Sequence, residues 1–190
     1  MSTNHTSDNE ARRRTLSVLV ENRPGVLSIV ARLFSRSGYN IESFTAGATL
    51  DEGLTRLTIE VVADANSTRL LLAQLNNMVP VYYAKLLKEE ETIRREFVLF
   101  KCSAPTFETR NEIIQIGNIF RASVIDVSRE TLTLALIGDE SKISAIRDLL
   151  APFGILELAR TGILGMERGK YTIDEKTKES SEFNYGKSVK

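Results

Sequence analysis

Residues 19–44 read LVENRPGVLSIVARLFSRSGYNIESF. The hydrophobic period changes twice around this stretch, and those changes decide the fold. TLSVLVEN (15–22) places Leu16, Val18 and Val20 on one face at period two, which is a strand pattern. From Pro24 onward the period becomes helical. Val26, Val30, Leu33 and Ser37 share one side with Leu27 and Phe34, while Arg32 and Arg36 lie off it. Pro24 suits the first turn of this helix, where its missing N–H costs nothing. Gly38 suits the helix stop. YNIESFTAGAT (39–49) then reads as a second strand.

Beyond this unit, LDEG (50–53) reads as a turn. LTRLTIEVVA (54–63) alternates Leu57, Ile59 and Val61 against Arg56, Thr58 and Glu60. Asn66 or Ser67 is expected to cap the next helix, along which Leu71, Leu75 and Met78 repeat at helical spacing. VPVYYAKLLK (79–88) closes the set as a strand. After the charged joint EEETI (89–93) the order begins again, with REFVLFKCSA (95–104), TFETRNEIIQIGNIFR (106–121), ASVIDVS (122–128), TLTLALIGD (131–139), SKISAIRDLLAPFG (141–154) and ILELARTGILGM (155–166). Two copies of β-α-β-β-α-β, offset by roughly 80 residues, are a domain duplication, not a short solenoid repeat. The expected class is α+β, with two ferredoxin-like domains. Right-handed crossovers put both helices on one sheet face, so the other face must be covered or polar. Free sheet edges on a small domain favour dimerisation.

Composition narrows the function. The chain has 190 residues, with 25 basic and 25 acidic side chains and a net charge of zero. The basic excess of a general nucleic-acid or anionic-membrane binder is missing. No apolar run approaches the roughly 20 residues of a membrane span, and the polar start lacks a secretory signal. With a single cysteine there is no internal disulfide, which fits a reducing compartment; the expected location is the cytoplasm. The one histidine, His5, sits in a polar leader. Cys102 lies in an apolar strand and reads as a buried structural thiol. Neither a zinc-spaced Cys/His cluster nor a phosphate-binding glycine loop is present in the sequence. Phe97 and Phe100, three apart in a strand, point to opposite faces, which argues against an RNA-stacking platform.

What remains is ENRPGVLSIV (21–30). A helix N-terminus offers free N–H groups, its dipole favours an anion, and Gly25 lets a ligand approach without a Cβ. A carboxylate is the natural guest. The amides of Asn22 and Asn40 can both donate and accept. If the helix brings Asn40 back towards the loop, the two form a clamp for an α-amino acid. The residues also admit a structural reading, with Asn22 and Gly25 as turn residues and Asn40 as helix-end punctuation beside Gly38. SAPTFETR, at the matching loop of the second copy, keeps a proline but has Thr106 where Gly25 would be and no asparagine before it.

LSVLVENRPGVLSIVARLFSRSGYNIESFTAG (16–47) closely resembles the amino-terminal ACT domain of the small, regulatory subunit of acetohydroxyacid synthase, also called acetolactate synthase. TRLTIEV, REFVLFK, IFRASVIDVS and ELARTGILGMERG resemble further parts of that family. The resemblance implies a non-catalytic subunit that activates a separate catalytic large subunit carrying thiamine diphosphate, magnesium and FAD, with no cofactor in this chain. It implies feedback inhibition by branched-chain amino acids, chiefly valine, at sites between paired ACT domains of a homodimer. Asn22, Gly25 and Asn40 match its effector-binding positions, and Pro24, Val26, Leu27 and Ile41 its surrounding pocket. The implied organisation is a leader (1–14), an ACT domain (15–88), a linker (89–93), a second ferredoxin-like domain (94–168) and a polar tail (169–190). A stand-alone amino-acid-binding regulator of another enzyme is the alternative.

Overall fold

The computed structural model describes residues 10–173. They form two compact units, one of residues 94–162 and one of residues 10–93 together with 163–173. His5, most of the leader and most of the tail lie outside the described residues.

In the first unit the chain runs β1 (Arg12–Glu21), α1 (Val26–Arg36), β2 (Ile41–Ala48), β3 (Leu54–Ala63), α2 (Ala65–Asn76) and β4 (Val81–Leu87). The sheet order is β2-β3-β1-β4, with antiparallel neighbours throughout. The alternating residues of β1 and β3 form the core face. Leu16, Val18 and Val20 meet Leu57, Ile59 and Val61 there, beneath Val30, Leu33 and Phe34 of α1 and Leu71, Leu72 and Leu75 of α2. Removing each such side chain from water stabilises the unit by about 1.5–3 kcal/mol. Strand β1 takes in the last three residues of the expected leader, because Arg12, Arg13 and Arg14 pair with Ala63, Val62 and Val61.

Two helix ends differ from the sequence reading. Pro24 is not in the first turn of α1; it precedes the N-cap, which is Gly25. Asp64, not Asn66 or Ser67, caps α2, because its carboxylate accepts from the Ser67 N–H at 2.8 Å. Gly38 does end α1. At φ +75° it donates to Ser35 O, and Tyr39 N–H reaches back to Phe34 O, which together satisfy the last carbonyls.

The second unit repeats the order with β5 (Thr92–Ser103), α3 (Phe107–Ile119), β6 (Ser123–Val127), β7 (Thr131–Gly138), α4 (Glu140–Leu150), a 3-10 turn and β8 (Ile155–Arg160). Its sheet order β6-β7-β5-β8 is the same permutation. Both units are therefore ferredoxin-like. Val98, Phe100 and Cys102 of β5 pack with Leu132, Leu134 and Leu136 of β7 against Ile113, Ile143 and Ile146. Glu96, also buried, accepts from Nε and Nη2 of Arg160 and from the Gly162 N–H.

The stretch read as one last strand is broken. Strand β8 stops at Arg160, Gly162 takes φ +83°, and a separate short strand β9 (Leu164–Glu167) follows. Residues 163–173 pack with the first unit, whereas the sequence placed 94–168 in the second domain. Their position answers the question of the uncovered sheet face. On the side of the first sheet away from the helices lie Thr15, Ser17, Thr58, Glu60 and Lys85, all buried. That face mixes these polar residues with the buried Leu19, Tyr83 and Leu87, and it is covered.

Candidate functional site

Strand β1 ends at Glu21, and the next residue is tied down twice. Asn22 N–H donates to Gly53 O at 2.8 Å, and Asn22 Nδ2 donates to Glu52 O at 2.9 Å. The turn between β2 and β3 thus fixes the Asn22 side chain by its amide nitrogen and leaves its oxygen as the acceptor. Arg23 pairs with Glu21 at the exposed rim.

Gly25 then sets the helix mouth. Its φ of +86° and ψ of −14° lie in the left-handed region, where a Cβ is strained. Space in the protomer does not demand glycine, because a Cβ there would meet nothing within 4 Å. Helix α1 has no side-chain cap and no acidic residue in its first turn. Val26 N–H donates to Arg23 O, and Ile29 N–H to Gly25 O. Among the described residues, no hydrogen bond takes up the Leu27 and Ser28 amides between them. Unpaired N–H groups at the positive end of a helix dipole are the chemistry that suits a carboxylate.

The remaining expected site residues divide. Pro24 and Leu27 are exposed beside the mouth, and Ile41 is half-buried at the start of β2. Val26 is buried in the core, so it supports the mouth from beneath and does not line it. Asn40 is exposed, and its Nδ2 donates to Glu42 Oε1 at 2.9 Å. Like Asn22, it keeps its amide oxygen as an acceptor.

The structure does not bring Asn22 and Asn40 together. Asn22 lies at the end of the sheet where Glu21 pairs with Leu54, and Asn40 lies where Ile41 pairs with Val61. Along β3 those levels are separated by about 23 Å at ~3.3 Å per residue. The helix carries the chain from one end of the sheet to the other, so the two amides flank its opposite ends. A one-chain clamp is excluded, since an amino acid's charged head is several times shorter.

The second copy shows what a closed mouth looks like. Thr106 takes the N-cap position of α3 with an ordinary φ of −109°, and its hydroxyl accepts from the Thr109 N–H at 3.2 Å. Arg110 ties the same turn to Ala104 O, Ser128 O and Arg129 O. Of the two donors that α1 leaves open, the counterpart of the Ser28 N–H is occupied there by the chain's own side chain.

Other chemistries find little support. Cys102 is fully buried, and burial pushes its thiol above its ordinary pKa, away from the nucleophilic thiolate. Phe100 is buried on the core face while Phe97 is exposed on the other. Among the described residues there is no cluster of three His, Cys, Asp or Glu side chains able to hold a metal, and no helix long and apolar enough to cross a membrane. Sequence reasoning placed a turn at 50–53 but missed that its Glu52 and Gly53 carbonyls fix Asn22. Nothing local marks it, because the partnership spans thirty positions.

Fold and mouth together define a class, a tandem ferredoxin-like protein whose first unit is an ACT domain with an uncapped helix N-terminus. The family model for the ACT domain of acetohydroxyacid synthase small subunits matches residues 16–83, and the model "small subunit of acetolactate synthase" matches residues 95–169. A probable acetolactate synthase small subunit from Archaeoglobus fulgidus is 45% identical, over 83% of this chain and 98% of its own length. An acetolactate synthase small subunit from Mycobacterium bovis is 43% identical, over 82% of this chain and 92% of its own. The crystal structure of the acetolactate synthase small subunit from Thermotoga maritima superposes with a TM-score of 0.78 at 38% identity, covering 84% of this chain and 99% of that one. The chain belongs to the acetolactate synthase small-subunit family.

Proposed function

We propose that this chain is a regulatory subunit that activates the catalytic subunit of acetolactate synthase and makes it subject to feedback inhibition by branched-chain amino acids, valine first. The observation that carries the reading is the open mouth of α1, held by Gly25 and flanked by Asn22, in a chain of this family whose second copy of the same loop caps itself.

The separation of Asn22 from Asn40 makes a homodimer part of the reading. Strand β2 is a free edge of the first sheet. Two copies joined along that edge about a two-fold axis run β2 against β2 and α1 against α1, each pair antiparallel. The mouth of one α1 then faces the far end of α1 in the second copy, where Asn40 stands. In this arrangement the effector carboxylate binds the Leu27 and Ser28 amides, Asn22 Oδ1 and the second copy's Asn40 Oδ1 accept from its ammonium, and Leu27 and the second copy's Ile41 face its side chain. Occupancy favours the paired state, and the holoenzyme shifts towards lower activity by linkage. The subunit works in the cytoplasm, without nucleic acid or membrane; thiamine diphosphate, magnesium and FAD belong to the catalytic subunit.

Reconstitution with that subunit tests the reading. Acetolactate formation should rise on adding this chain and fall on titrating valine, leucine or isoleucine. A holoenzyme neither activated by the chain nor inhibited by any of the three would overturn it.

A further inference from the structure

Residues 163–173 cross the helix-free face of the first sheet as a strap. Their attachments are directional. Ile163 N–H donates to Ser43 Oγ at 3.0 Å, and an Arg56 Nη2 donates to Gly165 O at 2.8 Å. Glu167 pairs with Lys85, whose Nζ also donates to Thr172 O at 2.7 Å. Arg168 N–H reaches Glu91 O at 2.7 Å. Gly165 lies so close to the sheet that a Cβ would stand 2.7 Å from Leu87 Cδ1, with the Thr58 and Thr15 methyls beside it.

Apolar contact adds to these bonds through Leu87, which is buried beneath Gly165. Ile163 is buried, but Leu164 and Met166 are each more than half exposed. Beneath the strap, the hydroxyls of Ser17 and Thr58 are buried without hydrogen-bond partners, and each such group weakens the layer. The strap also carries β9, which pairs with β5, so backbone pairing adds to these side-chain attachments. Its first anchor is also placed at the edge of the candidate site. Ser43 lies on β2 three residues after Asn40, next to the register shift between Ile41 and Ser43. A ligand that fixes Asn40 and Ile41 fixes the ground on which Ile163 is anchored.

We infer that strap attachment and effector occupancy are coupled: valine bound at the Asn40 end of β2 tightens residues 163–173 onto the helix-free sheet face, and a tight strap raises valine affinity. The inference rests on the effector reading above and adds the moving element to it. Coupling of this kind is reciprocal, so it has two independent readouts.

Hydrogen exchange followed by mass spectrometry on the full chain gives the first. Saturating valine should slow exchange of the 163–173 peptide about tenfold, and Ser43→Ala should abolish that slowing. Calorimetry gives the second. Gly165→Val, which crowds the Leu87, Thr58 and Thr15 side chains beneath the strap, should weaken valine binding at least about fivefold. Glu167→Gln, a change that spares the backbone, should do the same to a smaller extent. Valine binding that leaves strap exchange unchanged in the unmodified chain would overturn the coupling alone. Absence of any valine binding would remove the effector reading, and the coupling with it.

Discussion

Gly25 concentrates the residue-scale argument. Its φ of +86° excludes most side chains on strain, yet the protomer leaves open space where its Cβ would be. That space is where the carboxylate is expected. Aspartate tolerates the left-handed region better than most residues, so Gly25→Asp tests charge more than folding. A carboxylate about 4 Å from the effector's would repel it by roughly 4 kcal/mol at an effective dielectric near 20. The expected outcome in the reconstituted enzyme is loss of valine inhibition with activation retained; unchanged sensitivity would place the anion elsewhere. Asn40→Ala removes an acceptor for the ammonium and should weaken valine binding by about 1.5–3 kcal/mol, the range for hydrogen bonds to charged groups. Equal affinity in calorimetry would remove Asn40 from the site.

At the scale of the element, the four α-helices of the described residues begin in two ways. Asp64, Thr106 and Asp139 each accept a backbone N–H from the first turn of their helix, and α1 alone has a glycine that accepts nothing through a side chain. Caps stabilise, so α1 forgoes that contribution at its N-terminus. The capped helices carry a pH signature. The Lys142 N–H and the Ser141 hydroxyl hold the Asp139 carboxyl below its ordinary pKa. A depressed folded-state value means that the contribution is present above the ordinary carboxylate pKa and is lost as pH falls through the folded one. The thermal midpoint should therefore drop on going from about pH 5 to about pH 3. Asp139→Asn, which keeps an acceptor but does not titrate, should show a shallower drop; an identical pH dependence would remove the cap from the account. The sequence marked α2 as capped but chose Asn66 or Ser67 over Asp64, because all three are cap formers and only the backbone decides which carries the extended φ/ψ of the N-cap.

For the whole molecule, the decisive result is that Asn22 and Asn40 stand at opposite ends of one sheet. If a site takes its mouth from one copy and Asn40 from the other, mixing has a sharp consequence. As pure dimers, Gly25→Asp chains should fail to bind valine and Asn40→Ala chains should bind it only with the weakened affinity given above. A mixed dimer places both lesions in one site and leaves the second site intact. Co-refolded mixtures should recover binding at up to one site per mixed dimer, measured by calorimetry; no recovery would rule out a shared site.

The sequence by itself determined the duplication, the strand and helix alternation, the helix stop at Gly38 and the difference between the two loops. Each rests on periods and turn chemistry that act over a few residues. It also marked Asn22, Gly25 and Asn40, because an amide or a glycine at an element boundary is visible in one dimension. Tertiary structure decided the rest. Only strand register shows that the helix separates the two asparagines, and only packing shows that Val26 belongs to the core. That residues 163–173 leave the second unit and cover the first follows from Lys85, Arg56 and Ser43 finding Glu167, Gly165 and Ile163 across more than eighty positions. Hydrophobic period carries no information about such partners, since polar residues on a covered sheet face alternate in the same way as polar residues facing water.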